Sequence, residues 1–222
     1  SRYLRDFAAA LSHEFKTPLA GIRGGIELLE DHGGTMTTAE RAGFLANMAI
    51  DADRLTRLVS RLMELAQADM RPADPEARAD LFAILARIAD AQRGPGFELE
   101  VFVPGNLPRL AIDPAGLETV LTTLVENSRQ AGASALVIDA AHADGTVRIR
   151  LRDNGPGIPA ADRERVFDPF FTSKRADGGT GLGLPIARSL LENGRGWLEL
   201  EDSEGGASFV LGVPVAPDAA IG

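Results

Sequence analysis

Cysteine is absent from the 222 residues, which removes disulfides, thiolate metal sites and thiol nucleophiles and fits a reducing compartment. Long apolar runs are missing too. None approaches the roughly 20 residues of a membrane span, and no signal-peptide pattern opens the chain. Positive charge is in short supply: 23 Lys and Arg stand against 32 Asp and Glu, a formal net charge of -9 and a pI of about 4.9. That balance argues against non-specific attraction to nucleic acid or anionic lipid, which need a cationic surface. A small anion is left with locally arranged donors as its only route to binding.

What is present is a globular composition, 45% hydrophobic. At roughly 150 residues per domain, the length allows one large domain or two modest ones. The chain starts at Ser1, already helix-patterned. It is therefore expected to be a fragment of a longer protein, a soluble cytoplasmic core whose membrane contact runs only through parts outside this sequence.

Two halves are legible. Leu4, Phe7, Leu11, Phe15, Leu19, Ile22, Ile26 and Leu29 recur at steps of three and four, one apolar helical stripe. "DHGGTMT" breaks it, with Thr37 or Thr38 available to cap a second helix. A second stripe then runs through Leu45, Met48, Ala52, Leu55, Leu58, Leu62 and Leu65. One hairpin has too small a seam for a stable core, so pairing two in a homodimer to make a four-helix bundle is expected over 1–70. Pro72 and Pro75 mark a linker at 71–79. From 80 to 216, strand-like pieces ("FELEVFVP", "SALVIDAA", "TVRIRLRD", "WLELED", "ASFVLGVP") alternate with helical ones ("LFAILARIADAQ", "PAGLETVLTTLVENSRQAG", "LPIARSLLEN"). That grammar predicts an α+β sandwich, helices on one face of a mixed sheet. Residues 217–222 read as an unstructured tail.

"LSHEFKTPLA", residues 11–20, interrupts an otherwise ordinary helix with polar groups and a proline. At about 100° per residue, His13 lies about 200° round from Leu11 and from Phe15, pointing away from the stripe. A carboxylate such as Glu14, bonded to one ring nitrogen, fixes the tautomer and leaves the other as a nucleophile. Thr17 lies one turn on, within reach of anything attached to the ring. Pro18 lacks the N–H that the Glu14 carbonyl would accept, so a bend is expected there. A lone His-Glu pair is more often a solvated helix face, and the rest of the chain decides the matter.

Three further segments point to a nucleotide. A helix opens with Asp113 as cap and Pro114 in its first turn, and Asn127 sits at the edge of its apolar stripe, where an amide oxygen is a hard ligand suited to magnesium. In "TVRIRLRDNGPGI", Asp153 continues the buried phase of Val147, Ile149 and Leu151 and needs a donor there, such as an exocyclic amine; Gly155 and Gly157 permit close backbone approach. In "GGTGLGLPIARSLLENG", glycines lead into a helix start, where free N–H groups bind phosphate. Phe167, Phe170 and Phe171 lie between these segments, as core anchors or as the hinge of a lid.

"HEFKTP" resembles the phosphoacceptor box of sensor histidine kinases. From 113 onward the chain resembles their catalytic ATP-binding domain, in the superfamily shared with gyrase and a heat-shock chaperone. That resemblance implies autophosphorylation of His13 from ATP and magnesium, then transfer to an aspartate of a response regulator. It makes Glu14 the acid-base partner and Thr17 the residue for dephosphorylating the regulator. By it Asn127 coordinates magnesium, Asp153 recognises the adenine amino group, Gly155 and Gly157 shape the base pocket, and Gly179, Thr180, Gly181, Leu182 and Gly183 flank the phosphates. "FDPFF" is similar to the family's phenylalanine box.

Departures exist. Thr123 stands where many members carry Asn or His, and Gln130 where many carry a basic residue, which leaves phosphate contact to Arg129 or Lys174. ATP-hydrolysing relatives usually place a water-activating Glu at the Thr123 position, so its absence favours transfer over hydrolysis. The rivals are a plain ATPase or clamp, disfavoured by "HEFKTP", and a nucleotide-binding scaffold without turnover.

Overall fold

The computed structural model describes residues 2–70, 74–92, 96–173 and 179–217, apart from the side chains of residues 2–4 and 6. The chain divides into two compact units, Ser1–Glu64 with Asp168–Leu182, and Leu65–Phe167 with Gly183–Gly222.

The first unit is built on a hairpin of α1 (Arg2–His32) and of α2 (Thr38–Met70) as far as Glu64. The turn is specified by its own residues. Gly33 donates to the Leu29 carbonyl at 3.0 Å, and a Cβ at Gly33 would collide with that oxygen. Thr37 is the cap: its hydroxyl accepts from Glu40 N at 3.2 Å, while Glu40 accepts from Thr37 N at 2.8 Å. This reciprocal box satisfies two otherwise orphaned donors. The bond from the Thr37 backbone holds the Glu40 carboxyl below its usual range, with the Thr37 hydroxyl adding to it. Along the seam, α1 carries Gly21 against Asp51 and Gly25 against Met48, where a Cβ on Gly25 would lie 2.7 Å from the Met48 sulfur. These glycines let the two backbones come close.

The apolar stripes are not buried as a whole. Leu58 is 3% exposed, but Leu19 is 52%, Ile26 42% and Leu45 51% exposed. Two helices share one line of contact, narrower than a stripe of about 100°, so its flanks stay uncovered within a single chain. The Leu4 side chain lies outside the described residues. Helix α1 continues through Pro18.

The second unit is a five-stranded mixed sheet in the order β1-β2-β3-β5-β4, with β1 (Glu98–Phe102), β2 (Ala135–Ala143), β3 (Thr146–Asp153), β4 (Trp197–Glu201) and β5 (Ser208–Pro214). β1 runs parallel to β2 and the other pairings are antiparallel. Helices α3 (Leu81–Ala91), α4 (Pro114–Gln130) and α5 (Gly183–Asn193) pack with it around one core. Caps set their starts, Asp80 accepting from Ala83 N and Asp113 from Gly116 N, with Pro114 in the first turn.

β3 shows why the sheet has two faces. Val147, Ile149 and Leu151 are almost fully buried, while Arg148, Arg150 and Arg152 face outward, the last two into ion pairs. Arg150 bonds Glu201 at 2.7 Å and sits 3.5 Å from Asp139, which also meets Arg152 at 3.3 Å. Arg148 lies over the Trp197 ring at 5.7 Å, and that ring covers Gly212, where a side chain would overlap the indole. The tail from 218 and Pro72 of the expected linker lie outside the described residues.

Candidate functional site

In the first unit, His13 is exposed while Glu14 is only 5% exposed. Glu14 stands 300° on from Leu11, and so about 60° from the apolar stripe, whereas His13 points away from it. Its carboxylate meets Arg54 of α2, Nη2 donating to Oε2 at 3.3 Å. Sequence reasoning placed Glu14 with its neighbour and did not find Arg54. The only available signal was a basic residue on the second stripe's flank. Thr17, exposed, donates its hydroxyl to the His13 carbonyl at 3.3 Å. That back-bond ties it to the turn bearing the imidazole.

The same unit holds the segment 168–182. Phe170 is 3% exposed at φ 67°, a conformation unusual for a bulky residue. It donates to the Gly181 carbonyl at 2.9 Å, and its ring packs on Phe7 of α1, centroids 5.2 Å apart. Gly181, at φ 66°, has room only for hydrogen, since a Cβ would lie 2.6 Å from the Phe171 carbonyl oxygen. Thr180 accepts from Leu182 N at 3.4 Å; Leu182 is fully buried and Gly179 half-buried. Lys174 lies outside the described residues.

In the second unit the centre is Asp153, at the end of β3 and 8% exposed. Its Oδ1 accepts from Gly155 N and from Ala207 N, each at 2.9 Å, and its Oδ2 accepts from the Ser128 hydroxyl at 2.9 Å. A carboxylate offers about four acceptor sites, so these three donors fix its plane and leave Oδ2 able to take one more. An amino group is the matching chemistry.

Glycines make the space around it. Gly157 is at φ 74° and Gly206 at φ 70°. A Cβ on Gly157 would lie 2.9 Å from the Gly206 carbonyl oxygen, and one on Gly206 would overlap the Asp153 backbone. A Cβ on Gly155 would sit 3.1 Å from Asp153 Oδ1. Asn154 is structural: its Oδ1 accepts from Ser134 N and Ala135 N, both at 2.9 Å, fastening the start of β2.

Asn127 lies half-buried on α4, one residue before Ser128. Thr123 is buried one turn earlier, and a Cβ on Gly183, the first residue of α5, would come 3.1 Å from its methyl group. Arg129 is exposed and donates to Gln92 at 2.7 Å. Phe167 packs edge-on to Phe209, centroids 6.3 Å apart, as a core anchor. Sequence reasoning missed Gly206, Ala207 and the role of Ser128. Among the described residues no group of three or more His, Cys, Asp and Glu could hold a metal, and no helix is long and apolar enough to cross a membrane.

Comparison with known proteins matches both parts of the chain. Residues 3–71 match the "His Kinase A (phospho-acceptor) domain" family, and residues 112–217 match the "Histidine kinase-, DNA gyrase B-, and HSP90-like ATPase" family. The "Probable sensor histidine kinase TcrY" of Mycobacterium tuberculosis is 33% identical over 220 residues, 96% of this chain and 46% of that protein. Sensor histidine kinase ZraS of Escherichia coli is 31% identical over the same shares. The chain thus spans about half the length of these relatives. The crystal structure of full-length ShkA in complex with AMPPNP matches with a TM-score of 0.65 at 28% identity, over 96% of this chain and 46% of that one. With a phospho-acceptor domain family and a histidine kinase-type ATPase family both matched, in that order, the chain belongs to the sensor histidine kinases of two-component systems.

Proposed function

We propose that the chain is an ATP-dependent protein histidine kinase core that phosphorylates its own His13 and passes the group to an aspartate of a response regulator. The observation that carries this reading is the donor pattern at Asp153. Three donors, one from helix α4 and two from loops, orient a buried carboxylate and leave one acceptor site, which suits recognition of an adenine amino group. Magnesium-ATP, when bound, supplies the γ-phosphoryl group. Asn127 offers a neutral oxygen suited to the magnesium, and the glycines Gly179, Gly181 and Gly183 offer backbone N–H groups suited to phosphate.

The chemistry asked of the protein is positioning and proton handling. His13 gives a ring-nitrogen lone pair to the γ-phosphorus, forming an N–P bond as the P–O bond to the ADP leaving group breaks. Glu14 accepts the proton shed by the other ring nitrogen. Thr17 serves the opposite traffic, dephosphorylation of the regulator. The half-exposed Leu19, Ile26 and Leu45 support pairing with a second hairpin to give a homodimeric four-helix bundle.

The test is incubation with γ-labelled ATP and magnesium. Label is expected on the parent chain and not on His13→Gln. Steady phosphate release without labelled protein would instead favour a plain ATPase.

A further inference from the structure

A carboxylate is costly to bury unless it is paired, and Glu14 is 5% exposed one residue from the exposed His13. One partner comes from the other helix. Arg54 Nη2 lies 3.3 Å from Glu14 Oε2, with 23% of the Arg54 side chain and 6% of the Glu14 side chain exposed. The pair therefore spans the seam of the hairpin at the level of the acceptor.

Holding two helices together does not call for such a pair. Well-packed apolar side chains in its place are often neutral or stabilising, and Leu58, one turn from Arg54 on α2, is buried without an ion pair. What an ion pair adds is orientation. The guanidinium is a planar donor whose geometry selects how a carboxylate is presented. The helix bearing His13 also carries Pro18 here, a residue with no backbone N–H to add to the helical ladder. A side chain on α2 is thus well placed to fix what the local helix fixes less firmly.

We infer that Arg54 is a positioning residue for phosphorylation of His13, acting through Glu14. This rests on the role assigned to Glu14 above. It makes the aim of the base a property of the α1–α2 interface: a change in the packing of the two helices would alter the aim of Glu14 while leaving the nucleotide pocket intact.

Initial rates of autophosphorylation are measured on the whole chain at varied ATP, for Arg54→Met, Arg54→Lys, Glu14→Gln and the Glu14→Gln/Arg54→Met double variant. Helix content and particle size are checked for each. Arg54→Met is expected to lower kcat by at least about ten-fold with KM for ATP little changed, since general acid-base contributions are of this order or larger. Arg54→Lys should restore part of the loss. The double variant should be no slower than Glu14→Gln alone, because a residue that acts through Glu14 has nothing left to position. If Arg54→Met unfolds the hairpin, Arg54→Lys and Arg54→Gln carry the same comparison. A full rate in Arg54→Met with Glu14→Gln slow, or a double variant slower by the product of the two effects, would overturn the inference alone. A full rate in Glu14→Gln would remove the role of Glu14 and that of Arg54 with it.

Discussion

The Ser128 hydroxyl donates to Asp153 Oδ2 at 2.9 Å and so fastens helix α4 to the end of strand β3. The same helix, one residue earlier, carries Asn127. Base recognition and the magnesium ligand of the proposed site thereby share one element, and a disturbance at either is expected to be felt in nucleotide affinity.

Asp153→Asn sets an amide NH2 group among donors that need an acceptor. A loss of roughly 10- to 100-fold in ATP affinity is expected, the range for a charge-assisted bond of about 1.5–3 kcal/mol. Ser128→Ala removes one of three donors and should cost only a few-fold. Isothermal titration with a non-hydrolysable ATP analogue checks both, and equal effects would mean that the carboxylate is not the recognising group.

Gly206→Ala is expected to be destabilising by more than about 2 kcal/mol, because it combines a left-handed φ of 70° with overlap on the Asp153 backbone. Gly205, next to it, has nothing within 4 Å of an added Cβ, so Gly205→Ala should change little. Urea unfolding of the two variants makes the comparison, and a neutral Gly206→Ala would contradict the packing described.

Much of this was legible in the sequence, for reasons of locality. The Asp113 cap, Pro114, the alternation of Val147, Ile149 and Leu151 with arginines, and the buried phase of Asp153 are all set by neighbours a few residues away. So was the Thr37 cap, left open between Thr37 and Thr38 and decided by the bond to Glu40. The partners of Glu14 and Asp153 were not legible. Arg54 is 40 residues from Glu14 and Ala207 is 54 from Asp153, and no helical or strand period connects them. The burial of Glu14 had a signal, since its helical angle places it beside the apolar stripe. Gly206 had a weaker one, a glycine pair between two strand-like segments.

Thr17→Ala should leave autophosphorylation of His13 near the parent rate while slowing dephosphorylation of a phosphorylated response regulator by about ten-fold or more. Thr17 is exposed and donates its hydroxyl to the backbone carbonyl of His13, so the helix should survive its loss. Loss of labelling in this variant would overturn the division of roles between Glu14 and Thr17.

Acid should weaken the outer face of the sheet. The bond from Arg150 holds the Glu201 carboxyl below its usual range. For a carboxyl lowered in the folded state, the stabilisation is present above the unfolded pKa and is lost as pH falls through the folded one. The pair is part-exposed, at 39% and 34%, so its worth is about 0.5–1 kcal/mol after screening. Parent and Arg150→Met should differ in urea stability at neutral pH and converge toward pH 3. A constant difference across that range would contradict the linkage.

The most direct measurement is the chemical identity of the phosphorylated atom. After reaction with γ-labelled ATP and magnesium, the label should be acid-labile and alkali-stable, and peptide mapping under neutral conditions should place it on the fragment containing His13. Acid-stable label on a serine or threonine, or label on a fragment lacking His13, would contradict phosphorylation of the imidazole.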